Sequence, residues 1–490
     1  MSFAITPEFV QSLLDQIELL TKQNAELYEQ IAALTRLVEE LRQIIKEQEE
    51  KLHKNPRNSS KPPSSEGYKK PKSNREPSGK KPGAQEGHKG HGLKKIEADR
   101  VEDVPHRPEK CNGCPYEGQC ECVCKSAVRH EYDIEINIVD KQHYTESYAC
   151  RMAGGETISG TFPEGINSSQ QYGDGIRAFA ATLNTEGMMG IDRIHEFLSA
   201  AMNIPVSTGF ICGCVKKLAE KLEPVVSGVF NALLGSPVVN CDETGFRTDG
   251  QLYWIHSVCN GLFTYLSLTN GRSEEDIRSI GSLTAYHGIP VHDCYSAYWK
   301  FDHLTHALCN EHILRELKGH MESHPDQGWI PDFRKLLQEM DHYKNETLEG
   351  GAEVLDPVTV AGYLERYDTL LEEATRANPI PERKPGQRGR VAKGKLRSLV
   401  DRLTGHKDEF CLFIKNMDVP FTNNLAEKSI RMSKVKIKVS GCMRTENGAK
   451  YFVKIMSYIE TVKKHGLNVF NAIRTAFKGG SYGLIFPVTE

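Results

Sequence analysis

Apolar residues in the amino-terminal stretch recur at every seventh position. Leu13, Leu20, Leu27, Leu34 and Leu41 form one row, and Ile17, Asn24, Ile31, Val38, Ile45 and Leu52 form a second. Leucine in one row with β-branched residues in the other is the pattern of a parallel two-stranded coiled coil, and a single Asn in the second row fixes register at some cost in stability. Residues 1–53 are therefore expected to join two copies of the chain, or more, through a coiled coil. A helix packed on its own domain shares this period, yet unbroken heptads with no other element nearby have little to pack on. Past Lys54 the period disappears. Lys54, Arg57, Lys61, Lys69, Lys70, Lys72, Arg75, Lys80, Lys81 and Lys89 outnumber Glu66, Glu76 and Glu86 in a stretch rich in Pro, Gly and Ser. Such a segment lacks the apolar residues for a core and reads as a basic disordered linker over 54–95. It could neutralise DNA phosphates without reading sequence.

A helical period returns at Asp174 to Leu183 and at Ile191 to Met202, and a third helix starts near Ser207. Ile211, Val215, Leu218 and Leu222 stripe that third helix and leave Lys216, Lys217 and Lys221 off the stripe. A charged solvent face and a DNA-reading helix-turn-helix both fit this pattern.

From Ser236 the period falls to two. Pro237 to Cys241 is a β-prone run ending in Asp242, and Thr248-Asp249-Gly250 turns the chain into a strand from Leu252 to Cys259. Asn260-Gly261 has the residues of a type I′ hairpin turn and leads into Leu262 to Leu268. Ser273 and Asp276 have capping-box spacing ahead of a helix with Ile277, Ile280 and Leu283 on one side, closed by Gly288. Ile289 to His292 is then a buried strand delivering Asp293. Strand, strand, strand, helix, strand is the order of a ribonuclease-H-like domain, whose first and fourth strands can lie side by side. Asp242 would then neighbour Asp293. Paired carboxylates suit Mg²⁺ or Mn²⁺, and two such ions can activate an attacking oxygen and stabilise a leaving one in phosphoryl transfer. Aspartates that merely end strands fit the same pattern.

About 130 residues separate Asp293 from Glu427, too many for a minimal core and too helical for a loop. An inserted helical domain is the economical reading. Within it, Cys309 and His312 lie one helical turn apart and read as a packing thiol and a hydrogen-bonded imidazole, since two ligands alone make a poor zinc site. Arg383 to Arg397 reads as a basic loop, either a linker or a DNA contact. After Pro420, Thr422 can cap a helix holding Glu427 and Arg431. Lys434, Lys436 and Lys438 alternate with Val435, Ile437 and Val439, which predicts a strand presenting three lysines to backbone phosphates. Ala449, Phe452, Ile455, Ile459 and Val462 stripe a closing helix ending at Gly466, and Asn468 begins another.

The 490 residues carry a net charge of −3, which hides the local segregation of basic residues. No apolar run is long enough to cross a bilayer and the amino terminus lacks the regions of a signal peptide, so a cytoplasmic location is expected. In that compartment the fourteen cysteines favour metal binding over disulfides. Cys111, Cys114, Cys120, Cys122 and Cys124 crowd a segment with few apolar residues, where a structural Zn²⁺ would supply the missing core. Unpaired reduced thiols in a loop are the alternative.

The segments VVNCDETG, HDCYSAYWKFDHLTHALCNEHILREL and TNNLAEKSIR, with SSKPPSSEG, GAQEGHKGHGL and SSQQYGDGIRAFAATL, resemble the insertion-sequence-66 family of DDE transposases. By position the family's acidic triad falls on Asp242, Asp293 and Glu427. The resemblance implies metal-dependent strand cleavage at transposon ends, two Mg²⁺ or Mn²⁺ ions per site, and 3′-hydroxyl strand transfer into target DNA. It also implies a DNA-binding role for the helical region, a small zinc module at the cysteine cluster, and small accessory proteins from the same element. The cluster departs from the family's paired CxxC form, since its last three cysteines alternate. A non-catalytic DNA-binding protein derived from a transposase is the rival reading. The expected chain is a multidomain α+β protein: coiled coil 1–53, basic linker 54–95, zinc-binding module 96–165, helical DNA-binding region 166–235, first part of the ribonuclease-H-like α/β catalytic core 236–302, helical insertion 303–415, and last part of the core with carboxy-terminal helices 416–490.

Overall fold

The computed structural model describes residues 6–55, 58, 95–104, 106–121, 127–381, 383, 391, 393–480, 482–484 and 486. Most of the basic linker, Cys122, Cys124 and most of the Arg383–Arg397 loop lie outside the described residues. The described chain is mixed α+β and divides into two units.

One unit holds residues 75–172 and 197–204. Strands β1 (Ser147–Cys150) and β2 (Glu156–Ser159) form an antiparallel hairpin here, with Cys150 opposite Glu156. Cys111 and Cys114 are half-buried and Cys120 is exposed.

The other unit holds residues 1–74, 173–196 and 205–490. It opens with α1 (Pro7–His53), a 47-residue helix capped by the Thr6 hydroxyl, whose heptad leucines Leu13, Leu20, Leu27, Leu34 and Leu41 are all exposed. The predicted helices follow as α2 (Asp174–Thr185), α3 (Ile191–Met202, shared with the smaller unit) and α4 (Thr208–Lys221), and α4 is capped by Ser207. A further helix, α5 (Glu223–Leu234), precedes the sheet. The stripe of α4 is buried, as its spacing requires, among Ala178 and Ala181 of α2 and residues of a carboxy-terminal helix described below.

The sheet contains β3 (Val238–Thr248), β4 (Gln251–Cys259), β5 (Thr264–Thr269), β6 (Ile289–His292) and β7 (Ala307–Leu308) in the spatial order β5-β4-β3-β6-β7. β3, β4 and β5 pair antiparallel, whereas β6 lies parallel to β3 and β7 parallel to β6. The helix between β5 and β6, α6 (Glu274–Ile280), has the expected capping box of Ser273 and Asp276.

Three local expectations are corrected. β3 does not stop at Asp242 but runs on to Thr248, because the two-residue turn sits at Asp249-Gly250, where both residues have positive φ (49° and 73°). Asn260-Gly261 instead opens a four-residue loop, closed by the Asn260 side chain accepting from the N–H groups of Leu262 and Phe263. α6 ends at Gly281, whose φ of 82° terminates the helix, so Leu283 is buried beyond the helix and not on it.

Six helices follow β7 or pack beside it: α7 (Asn310–Ser323), α8 (Trp329–Glu349), α9 (Pro357–Ala377), α10 (Lys395–Gly405), α11 (Lys407–Phe410) and α12 (Leu412–Lys415). Their apolar faces share one core with Val291, Ala307 and Leu308 of the sheet edge. The predicted helical stretch is therefore present, although β7 inside it belongs to the sheet. Then come α13 (Asn424–Ser440), α14 (Glu446–Lys464) and α15 (Val469–Phe477), the last capped by Asn468. Phe246, Ile255 and Leu266 of the sheet pack with Ile430 of α13 and Phe452 and Ile455 of α14, and the Phe246 and Phe452 rings stack with centroids 5.8 Å apart. Cys241 and Val258 point to the opposite face and pack with Val229 and Leu233 of α5 and Ile277 of α6. Both faces of the sheet are covered, as apolar residues on both sides of its strands demand.

The lysine segment 434–438 is helical, not a strand. Met443, just past α13, fastens this end to the β3–β4 hairpin tip: its N–H donates to the Arg247 carbonyl at 3.0 Å, and the Asp249 N–H donates to the Met443 carbonyl at 2.8 Å.

Candidate active site

Asn240 pairs with Val291 in the parallel register of β3 and β6. Continuing both chains by two residues brings Asp242 and Asp293 level at the carboxyl end of β6. Asp242 thus lies mid-strand, beside the point where β6 has stopped and left an opening. The third acid arrives from α13. Its N-cap position is Asn423, one residue later than the predicted Thr422, and no side-chain cap hydrogen bond is made there. Asn423 instead turns inward and is buried. Its Nδ2 donates to the Cys241 carbonyl at 2.6 Å, its Oδ1 accepts from Asn240 Nδ2 at 2.9 Å, and its backbone N–H donates to Cys309 Sγ at 3.1 Å. One residue thereby ties the start of α13 to β3 through its side chain and to the start of α7 through its backbone, and Glu427 follows one turn along.

The electrostatics register the convergence. Burial, then the negative charges of Glu243, Glu427 and Asp293, push the Asp242 carboxyl well above the ordinary carboxylate range. The Glu243 N–H, donating to Asp242 Oδ1 at 2.9 Å, opposes this. Asp293 Oδ1 accepts from the Tyr295 N–H at 2.9 Å. Glu427 Oε1 is buried with no hydrogen-bond partner. Clustered carboxylates with an orphaned oxygen fit hard divalent cations, which take oxygen ligands and offset the mutual repulsion.

Glu243 was a neighbour in sequence only until folded, and nothing in its spacing distinguished it. Its carboxylate accepts from the Tyr298 hydroxyl at 2.8 Å and lies 3.7 Å from Arg272, while burial and Asp293 raise its pKa to about 7. Arg272 is itself stacked between Trp254 and Tyr295, 4.6 and 4.5 Å from the ring centroids. The competing acids are occupied elsewhere. Glu311 pairs with Arg315 at 3.2 Å, Glu316 with Arg402, and Asp302 is exposed.

Cys309 and His312 do not form the simple packing pair that their sequence suggests. Together with Glu427 they place one potential metal-ligating atom each within 4.8 Å of the others. His312 Nε2 stands 3.9 Å from Glu427 Oε1, and His312 Nδ1 is buried without a partner. The missing ligand came from a residue more than a hundred positions away, so spacing could not reveal it.

The basic candidates separate. Arg431, Lys434 and Lys438 are exposed at i, i+3 and i+7 of α13, hence on one helix face. Lys434 Nζ donates to the Gly245 carbonyl at 2.9 Å and feels the charge of Asp242. Lys436 is corrected: it is buried, and its Nζ donates to the Asn184 and Met189 carbonyls at 2.7 and 3.0 Å. It cannot meet DNA, because a helix turns it away from the face that alternation assigned it. Lys216, Lys217 and Lys221 lie on the exposed side of α4, with Lys216 3.8 Å from Glu220.

Comparison with known families gives the class first, a transposase. The model described as Transposase IS66 family matches residues 169–451, more than half the chain, and the chain belongs to that family. Residues 13–94 match a second model, described as Family of unknown function (DUF6444). No curated protein matches the chain. Transposases of this kind act on DNA with divalent metal.

Proposed function

We propose that the chain is a DDE transposase that cuts DNA at transposon ends and joins the freed 3′-hydroxyl to target DNA, using a ribonuclease-H-like core. The observation that carries this reading is the convergence of Asp242, Asp293 and Glu427, from three distant segments, on one electrostatically coupled group. The strand order β5-β4-β3-β6-β7, with β6 and β7 parallel to β3, supports the fold. Asp242 and Asp293 would hold two Mg²⁺ or Mn²⁺ ions between them and Glu427 would complete the site. Such ions lower the barrier to phosphodiester exchange by activating the attacking oxygen and stabilising the leaving one.

The chain's own residues orient the substrate. Arg431, Lys434 and Lys438 form a cationic row on the helix that carries Glu427, suited to backbone phosphates and silent about sequence. Water is the nucleophile in cleavage, and its attack on the scissile phosphorus expels the 3′-oxygen of the element. That 3′-hydroxyl then attacks a target phosphodiester, so the number of phosphodiester bonds is conserved in the joining step. Lys216, Lys217 and Lys221, the coiled coil of α1 and a zinc module at Cys111, Cys114, Cys120, Cys122 and Cys124 complete the proposal as DNA-binding, assembly and structural parts.

Transposon-end DNA incubated with the purified chain and Mg²⁺ or Mn²⁺ tests it. Metal-dependent nicking at the end, lost in the triad variants, is the expected result. Tight DNA binding without cleavage under any divalent metal would make it the non-catalytic rival.

A further inference from the structure

Glu427 faces two ways. Its charge reaches Asp242, while its Oε1 turns toward His312 and Cys309. Oε1 and His312 Nδ1 are both buried polar atoms without partners, and such orphans are costly unless something satisfies them. The three ligating atoms lie within 4.8 Å of one another. A tetrahedral zinc site holds donors about 3.3 to 3.8 Å apart, so the group needs only small side-chain movements to close. The donor set is one thiol, one imidazole and one carboxylate, which is chemistry for a borderline ion and not for Mg²⁺. Cys309 occupies the N-cap position of α7, and its Sγ accepts from the Asn423 N–H at 3.1 Å, which holds the sulfur beside the other two donors. Burial pushes its thiol up to about 11, so an ion must displace the proton on binding.

We infer that Cys309, His312 and Glu427 form a binding site for one transition ion of the Zn²⁺ class, and that an ion held there draws Glu427 away from the Asp242–Asp293 pair. Zinc therefore opposes cleavage driven by Mg²⁺. The binding half stands on the geometry of the three donors; the antagonism rests on the reading of Glu427 as the third acid. On binding, the Cys309 thiol proton is released to solvent and its sulfur lone pair forms the new bond; no redox change occurs.

Metal analysis of the full chain, equilibrated with zinc and then dialysed, counts the bound ions. Wild type should retain one more equivalent than Cys309→Ser, His312→Ala or Glu427→Gln, each checked for folding by circular dichroism. Glu427→Gln leaves the start of α7 untouched and guards against a loss caused by local unfolding. Equal zinc content in all four proteins overturns the site. Zinc added to Mg²⁺-driven cleavage of end DNA should slow wild type tenfold or more, and slow Cys309→Ser far less, each relative to its own zinc-free rate. Equal inhibition overturns the antagonism. The two readings fail separately. Glu427→Gln that is dead in cleavage but keeps its zinc removes this site and leaves the third acid; Glu427→Gln that loses zinc but still cleaves does the reverse.

Discussion

Asn240 and Asn423 face each other across a buried 2.9 Å hydrogen bond between β3 and the first turn of α13. Through it, and through the bond from Asn423 to the Cys241 carbonyl, the strand bearing Asp242 and the helix bearing Glu427 become one rigid piece. Asn423→Ala should therefore lower kcat by tenfold or more with a smaller change in KM for DNA. It also orphans the Cys241 carbonyl, a loss of about 1 to 3 kcal/mol in stability. Thermal melts and steady-state cleavage kinetics check both. A kcat near wild type would show that Glu427 is held by other contacts.

Asp242→Asn, Asp293→Asn and Glu427→Gln should each reduce strand cleavage and joining by roughly a thousandfold or more while leaving DNA binding near normal. Asp302→Asn and Glu311→Gln should cost far less, since one is exposed and the other already paired with Arg315. An active Glu427→Gln beside a dead Glu311→Gln would reassign the third acid.

Lys436 is buried against the carboxyl end of α2, and burial lowers its pKa to about 8. Its folded value thus lies below its unfolded one. Between about pH 8 and the ordinary lysine range the unfolded chain binds more protons, so this group makes stability rise with pH there. Lys436→Met should destabilise the fold by taking the donor from the buried Asn184 carbonyl, while the Met189 carbonyl keeps the Asn184 Nδ2 at 3.0 Å, and should flatten that rise. Denaturation at a series of pH values measures the slope; an unchanged slope in the variant contradicts the assignment.

Freshly purified protein should hold zinc at the cysteine cluster, and Cys111→Ser with Cys114→Ser should release it. Metal analysis that finds the same zinc in that double variant as in wild type would end the idea of a zinc module.

A fragment spanning residues 1–53 should be helical and dimeric, because the heptad leucines of α1 are exposed along its length. Asn24→Ile should raise its melting temperature while loosening the choice of oligomer. Sedimentation showing a monomer at micromolar concentration counts against it.

Strands β3 to β6 and Asp293 were legible because apolar runs of period two and a capping box mark their own ends, whereas the two-residue β7 lay inside the expected helical insertion. Asp242 was legible as a residue but not as a mid-strand position, since an apolar run closed by an acid reads as a strand end, and only pairing with β4 carries β3 on to the Asp249-Gly250 turn. Lys434 to Val439 misled for a specific reason. Alternation puts 434, 436 and 438 on one side of a strand, while a helix groups 431, 434 and 438 and buries 436; a six-residue window cannot separate the two periods. Glu427 came only with the family resemblance, because no local signal spans the helices between it and Asp293. The link from Glu427 to Cys309 and His312 is purely tertiary.

α13 is held at both ends, by Asn423 to β3 and by Met443 to the hairpin tip. A helix fixed at two points behaves as a ruler. Its rise of about 1.5 Å per residue sets Arg431 and Lys438 roughly 10 Å apart along the axis, and neither can drift relative to Glu427. On the proposed function, a polymer lying along that edge would be gauged in length from the acid, and the cut would fall at a fixed count of repeats from wherever the cationic row takes hold.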